Sequence, residues 1–175
     1  MVPIFIASFY IDGRWASWLG AIIFLFASFT DFLDGYLARY WKTQSKFGRF
    51  LDPVADKLII VSALVMLIHN KSIDGLDVLP ALLIVGREIL ISGLREFLAN
   101  IAVELPVSKL GKAKTAIQML SICLLIISTK ESGFFMLRSI ARTTLWIAAF
   151  FALFSGYIYL RIGIRYANPL QENNK

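Results

Sequence analysis

Long apolar stretches alternate with short polar segments along the whole chain, and this pattern predicts helices. Several stretches run for about 20 residues with few charges, which is the length that a helix needs to cross a bilayer. We therefore predict an all-α fold, a polytopic membrane bundle of six transmembrane helices that forms one domain over residues 1–175. The predicted helices cover about residues 2–11, 15–40, 50–69, 78–99, 109–129 and 137–159. Residues 2–11 are too few to span, so the first helix is expected to be truncated.

Composition supports a membrane protein and argues against other classes. Hydrophobic residues make up 58% of the chain, and its mean hydropathy is +0.69. The net charge of +6 could indicate a nucleic-acid partner, but the basic residues fall in short loops and helix ends, where lipid headgroups explain them. We therefore expect membrane lipid and no nucleic acid as partner. The single Cys123 lies in an apolar run, which argues against a disulfide framework, and His69 is expected at an exposed helix end.

One segment, residues 30–57, breaks the apolar pattern with four carboxylates. It reads TDFLDGYLARYWKTQSKFGRFLDPVADK. Asp31 and Asp34 are three positions apart and Asp52 and Asp56 four apart, so in helices each pair projects from one face. The polar residues 40–47 between the pairs predict a bend that joins two antiparallel helices. All four carboxylates are then expected at the same end of that helix pair.

These carboxylates need a cation. An Asp near the middle of a membrane helix costs about 2.5 to 3.5 kcal/mol on insertion scales. Two carboxylates about 4 Å apart repel by roughly 4 kcal/mol at an effective dielectric near 20. Oxygen-only ligands without His or Cys favour hard ions such as Mg²⁺ or Mn²⁺. A cation carrier that uses the same cluster is an alternative, although transporters usually have two matching halves and this chain has no convincing internal repeat.

Small and basic residues beside the carboxylates indicate a phosphate-bearing ligand. Gly35 and Ala38 leave the helix face next to Asp34 nearly bare, so a flat ligand could approach the backbone. Arg39 offers a fork of donors that suits phosphate. Gly48 is expected to make the chain flexible just before the second helix of this pair begins. Pro53 is expected in the first turn of that helix.

The order D-x-x-D-G-x-x-A-R, eight residues, then G-x-x-x-D-x-x-x-D resembles the signature of the CDP-alcohol phosphotransferase family. The resemblance implies a membrane enzyme, often a homodimer, in which a CDP-linked lipid such as CDP-diacylglycerol loses CMP as an alcohol attacks. It also implies that the four aspartates bind two divalent ions, with Asp56 as the base that deprotonates the acceptor hydroxyl. The cytidine diphosphate would be held by Asp31, Asp34, Gly35, Ala38, Arg39, Gly48 and Asp52.

A second group of charges lies further along the chain and indicates an anion site. Arg87 and Arg95 are two helical turns apart and share a face, and Lys112 and Lys114 open the next predicted helix. Salt bridges of the arginines to nearby Glu residues, or a basic loop that faces lipid headgroups, would also explain these charges.

The acceptor is suggested by the same part of the chain. Residues 85–96 and 107–118 are similar to family members whose acceptor is sn-glycerol 3-phosphate. That resemblance implies that Arg87, Arg95, Lys112 and Lys114 bind the acceptor phosphate, since a doubly charged acceptor needs cations. An inositol phosphate or phosphatidylglycerol acceptor stays an alternative.

The distribution of basic residues predicts the orientation in the membrane. One set of loops and helix ends carries most of them, and the positive-inside rule makes that side cytoplasmic. These residues are Arg39, Lys42, Lys46, Arg49, Lys109, Lys112, Lys114, Arg161 and Arg165. We expect a multi-pass protein of the bacterial inner membrane with its active site towards the cytoplasm.

Overall fold

A computed structural model describes residues 2–11, 13–40, 46–100, 109–128 and 135–167. These ranges form six α-helices and one 3₁₀ turn, and they contain no strand, which confirms the all-α prediction. The helices are α1 (Val2–Ser8), α2 (Arg14–Tyr40), α3 (Lys46–His69), α4 (Val78–Asn100), α5 (Lys109–Ile127) and α6 (Phe135–Ala167), with the 3₁₀ turn at Gly75–Asp77.

Two helix boundaries differ from the predicted ones by four residues or more. Helix α3 begins at Lys46 rather than near residue 50, so Pro53 lies inside the helix and its predicted place in the first turn is wrong. Helix α6 continues to Ala167, beyond the predicted end near residue 159. Lys and Arg are good helix formers, so polar residues at a helix end do not stop the helix.

One hydrophobic core draws side chains from all six helices. Each helix contributes at least one apolar side chain that is almost completely buried. Examples, one from each helix, are Phe5, Phe24, Leu64, Ile84, Ile122 and Leu145. Even the short α1 is tied to this core, because the ring centroids of Phe5 and Phe24 are 5.7 Å apart. The positions recur every three or four residues within each helix, as expected for helices that bury one face.

Helix α6 packs closely on α4 and α5, and its buried face is rich in small residues. Ala141, Ala148 and Ala152 are fully buried there. At Gly163 a Cβ atom would lie only 2.7 Å from Cδ1 of Leu94 on α4. The missing side chain at this position therefore sets how near α4 and α6 can approach.

We expect Gly163→Ala to destabilise the protein by about 1 to 3 kcal/mol, since the added methyl group must displace Leu94. Gly93→Ala is the matched control, because nothing lies within 4 Å of a Cβ at that position of α4. There the change should be neutral or stabilise by up to about 1 kcal/mol, as alanine favours helix. Thermal unfolding of both variants in detergent measures the difference, and equal melting temperatures would show that Leu94 adjusts without cost.

The outer surface of α2 is apolar and aromatic. Its exposed large side chains recur every three or four residues and thus form a stripe along one face: Trp15, Trp18, Leu19, Ile22, Leu25, Phe26 and Phe29. A contiguous exposed apolar stripe would favour aggregation in water but suits contact with lipid chains. Within the described ranges, residues 136–166 of α6 form the one helix whose length and apolar composition suffice to cross a membrane.

An ion-pair network joins the 3₁₀ turn to α6. Arg142 pairs with Asp74 and, through Nε, with Asp77 Oδ2 at 3.1 Å. Trp146 Nε1 donates a hydrogen bond to Asp77 Oδ1 at 2.9 Å, and Arg138 donates to the carbonyl oxygen of Lys71 at 3.0 Å. Asp74 and Asp77 repeat the D-x-x-D spacing of the predicted metal ligands, but arginines balance their charges. This end of the bundle is therefore a structural clamp between the segment that follows α3 and the start of α6.

Candidate functional site

The four predicted metal ligands lie on two helices that pack against each other. Helix α2 runs unbroken through Asp31 and Asp34, and α3 runs unbroken through Asp52 and Asp56. The spacings of three and four positions that suit a shared carboxylate site are therefore kept by the backbone. The side chains of these four residues lie outside the described part of the chain, as do those of Gly35, Ala38, Arg39 and Gly48. Their roles stay predictions.

A buried ionic cluster of Arg87, Glu88 and Lys114 joins α4 to α5. The Glu88 carboxylate pairs with the ammonium group of Lys114 and, at 3.3 Å, with Nη1 of Arg87. All three side chains are at least nine-tenths buried, with exposed fractions of 10%, 9% and 4% for Arg87, Glu88 and Lys114. Two cations share one carboxylate, so the cluster holds one net positive charge out of water, where charge is costly.

Side chains of helix α6 contact the two arginines of α4. Arg87 Nη2 donates a hydrogen bond to Ser155 Oγ at 3.1 Å, and Arg95 Nη2 donates to the Tyr159 hydroxyl at 3.3 Å. The guanidinium carbons of Arg87 and Arg95 lie 6.0 and 5.2 Å from the centre of the Tyr159 ring. The face of an aromatic ring attracts cations, so Tyr159 stabilises both. Gly156 leaves room for Arg87, whose Cγ would be 3.1 Å from a Cβ there.

The acidic segment of α3 approaches α4 through Lys57. This residue directly follows Asp56, and its ammonium group donates a hydrogen bond to Ser92 Oγ. Ser92 lies one helical turn after Glu88 and three positions before Arg95 on α4. The contact therefore brings α3, one residue after Asp56, within the length of a lysine side chain of the part of α4 that carries the cations.

The sequence interpretations of the cations are partly right. Arg87 and Arg95 share a face as predicted, because both contact Tyr159. The salt-bridge interpretation holds for Arg87 with Glu88. The headgroup-loop interpretation is wrong for Lys114, which lies within α5 and is 3% exposed. The side chain of Lys112 lies outside the described part of the chain.

Several residues around the cations were missed by the sequence interpretation: Lys57, Ser92, Gln118, Ser155 and Tyr159. The signal for Ser155 was its place beside Gly156 in the aromatic-rich run FFALFSGYIY, since small and polar residues often mark helix interfaces in membranes. Gln118 likewise stands alone in the apolar run AIQML. Lys57 and Ser92 carry no comparable signal, because their contact depends on how α3 and α4 pack.

Comparison with known proteins decides the family. The profile of the CDP-alcohol phosphatidyltransferase family matches residues 1–154. The chain belongs to this family. Its members are membrane transferases, and they generally use divalent metal ions. The hard-oxygen donor set on α2 and α3 fits such ions.

Curated members of the CDP-alcohol phosphatidyltransferase family resemble most of this chain. A protein of Rickettsia felis is 45% identical over 95% of this chain and 90% of its own length. One of Pectobacterium atrosepticum is 40% identical over 91% and 86%, and one of Haemophilus influenzae is 37% identical over 93% and 86%. Each of the three is named CDP-diacylglycerol–glycerol-3-phosphate 3-phosphatidyltransferase.

Proposed function

We propose that this chain transfers the phosphatidyl group of CDP-diacylglycerol to sn-glycerol 3-phosphate, which yields phosphatidylglycerophosphate and CMP in phospholipid synthesis. The names and high coverage of its relatives support this reaction. The observation that carries it is the 45% identity, over 95% of this chain, to a protein that is named for this reaction. The Lys57–Ser92 hydrogen bond supports a shared site, since it joins α3 to the part of α4 that bears the cations. A phosphate-bearing acceptor bound at those cations would then lie close to a CDP-lipid held by α2 and α3.

The donor half of the site is assigned to α2 and α3. Asp31, Asp34, Asp52 and Asp56 would hold two Mg²⁺ or Mn²⁺ ions, which would neutralise the diphosphate and stabilise the CMP leaving group when bound. Asp56 takes the proton from the attacking hydroxyl of the acceptor. The cytidine diphosphate lies against Gly35, Ala38 and Gly48, where small side chains let it approach the backbone, and Arg39 donates hydrogen bonds to its phosphates.

The acceptor phosphate is assigned to Arg87, Arg95, Lys112 and Lys114. Among the described side chains, Arg87 and Lys114 share the single carboxylate of Glu88. Arg95, which lies over the Tyr159 ring, and Lys57, which reaches Ser92, add further positive charge, so cations are in excess here. That excess matches a doubly charged phosphomonoester better than the singly charged phosphodiester of phosphatidylglycerol. It matches inositol phosphate equally well, so charge alone does not separate the two polyol phosphates. Burial strengthens the contacts of Arg87 and Lys114, because the local dielectric there is low, whereas Arg95 is exposed.

The membrane arrangement follows from the surface and the charges. We assign the chain as a single-domain, multi-pass protein of the bacterial cell membrane, with the site towards the cytoplasm, where glycerol 3-phosphate is dissolved. The exposed apolar stripe of α2 supports lipid contact. A homodimer is expected from the family resemblance.

Reconstitution in proteoliposomes tests the reaction. Release of CMP should require CDP-diacylglycerol, a divalent ion and glycerol 3-phosphate together. Inositol phosphate and phosphatidylglycerol should replace glycerol 3-phosphate poorly. Cation flux across the vesicle membrane without a lipid product would support the carrier alternative instead.

We expect Arg95→Ala to raise KM for glycerol 3-phosphate about 10- to 100-fold, the usual effect of losing a charge-assisted hydrogen bond. KM for CDP-diacylglycerol should change less than about threefold, since that substrate is assigned to α2 and α3. The control is Arg165→Ala, which removes an exposed arginine from the last turn of α6. An equal rise in both KM values would move Arg95 out of the acceptor site.

A further inference from the structure

Gln118 of α5 is a buried amide that makes no side-chain hydrogen bond to the described residues. Its side chain is 1% exposed, and neither Oε1 nor Nε2 has a hydrogen-bond partner in the described part of the chain. Buried amides almost always have hydrogen-bond partners, because the free-energy cost of burying one without a partner exceeds what a typical hydrogen bond contributes to stability. Both ends of this amide thus call for a partner that can donate and accept, which is the property of a hydroxyl group or of water.

The place of Gln118 connects it to the acceptor cations. It follows Lys114 by four residues, about 6 Å along α5, and both side chains lie on the buried face of that helix. The next polar residue on this face, Ser121, is satisfied, since its hydroxyl donates to the Ala141 carbonyl oxygen at 3.5 Å. Among the described side chains of that face, Gln118 is therefore the polar group without a partner that lies nearest to Lys114.

A second unmade hydrogen bond belongs to Arg87. Its Nη atoms donate to Glu88 and Ser155, but the buried Nε has no partner among the described residues. A guanidinium N–H needs an acceptor such as a phosphate oxygen. The buried groups without a hydrogen-bond partner are thus a cationic donor at Arg87 on α4 and an amide at Gln118 on α5. The ion pair of Lys114 with Glu88 joins these two helices. This pattern matches a ligand that carries an anionic oxygen and, a few bonds away, a hydroxyl.

We propose that Gln118 binds the secondary hydroxyl of a phosphorylated polyol whose phosphate lies at Arg87 and Lys114, and so makes the enzyme selective for acceptors with that hydroxyl. The proposal rests on the proposed transfer reaction and adds to it a residue that determines acceptor specificity. The hydroxyl donates to Oε1 and accepts from Nε2, so both amide atoms gain a partner. A three-carbon phosphate ester reaches across the helical turn that separates Lys114 from Gln118.

The test compares two acceptors that differ by one hydroxyl. Glycerol 3-phosphate carries the secondary hydroxyl, and 3-hydroxypropyl phosphate lacks it but keeps the phosphate and a terminal hydroxyl that can attack. Wild-type enzyme in proteoliposomes should show a kcat/KM at least ~10-fold higher for glycerol 3-phosphate, because a site built to bind a hydroxyl rejects the analogue without it. Gln118→Leu should lose most of that preference while its kcat/KM for 3-hydroxypropyl phosphate stays within about threefold.

The control is Ser121→Ala, which removes another polar group from the same buried face and should keep the wild-type preference. Gln118→Met, which keeps the length of the side chain, serves as a second variant if Gln118→Leu does not fold. A folded Gln118 variant that keeps the full preference overturns the proposal and leaves Gln118 as the holder of a structural water. Equal use of both acceptors by the wild type overturns it without any variant. Absence of all wild-type product with glycerol 3-phosphate removes the proposed reaction itself, and that outcome is distinct from a change in preference.

Discussion

Asp56→Asn should lower kcat by about 10²- to 10⁴-fold, the usual contribution of a positioned general base. The amide keeps the size of the carboxylate but takes up no proton from the acceptor hydroxyl. CDP-diacylglycerol should still bind, because Asp31, Asp34 and Asp52 remain. Single-turnover CMP release, measured beside equilibrium binding of CDP-diacylglycerol in the presence of Mg²⁺, separates the chemical step from binding.

Glu96→Gln is the control for Asp56→Asn, since it neutralises an exposed carboxylate of α4. It should leave kcat unchanged. Loss of CDP-diacylglycerol binding in Asp56→Asn would identify Asp56 chiefly as a metal ligand. Retention of more than about a tenth of the wild-type kcat would remove it from the role of base.

Glu88→Gln should destabilise the fold by about 3 to 5 kcal/mol, the usual cost of removing one partner from a buried ion pair. The two cations that share this carboxylate, Arg87 and Lys114, would be left without a countercharge in the core. Addition of Lys114→Met should recover most of the loss, because the cluster then returns to one net positive charge. Thermal and denaturant unfolding in detergent would measure both effects.

Ligand addition distinguishes the acceptor role of the buried ionic cluster from a purely structural one. Glycerol 3-phosphate should raise the melting temperature of Glu88→Gln more than that of wild type, because the bound anion replaces the missing carboxylate. The double variant should gain little from the ligand and should stay poorly active. If Glu88→Gln were as stable as wild type without ligand, Glu88 would not be what balances these cations.

The helices could be predicted from the sequence, but their contacts could not. Each apolar run is bounded by polar, Gly or Pro residues, and the six predicted helices all occur among the described residues. The start of α3 was missed because the polar residues before Asp52 were interpreted as a bend, although Lys46 and Arg49 continue a helix well.

In the candidate site, too, the local spacing of residues was predictable from the sequence and the contacts between helices were not. That Arg87 and Arg95 share one face of α4 follows from their spacing and was predicted. Their partners on α6 were not, because Ser155 and Tyr159 lie 68 and 64 positions away from the arginines that they bind. Such contacts depend on which face of α6 meets α4. That face cannot be read from the sequence of either helix alone, although small residues such as Gly156 lie on it.

The clamp between the 3₁₀ turn and α6 holds the end of α3 that is remote from the aspartates. It contacts the chain just beyond His69, whereas Asp52 lies 17 positions earlier in the same helix. At 1.5 Å per residue, that separation is roughly 25 Å along the helix axis. The charged groups that fix this end of the bundle are thus separate from the carboxylates on which the donor site depends.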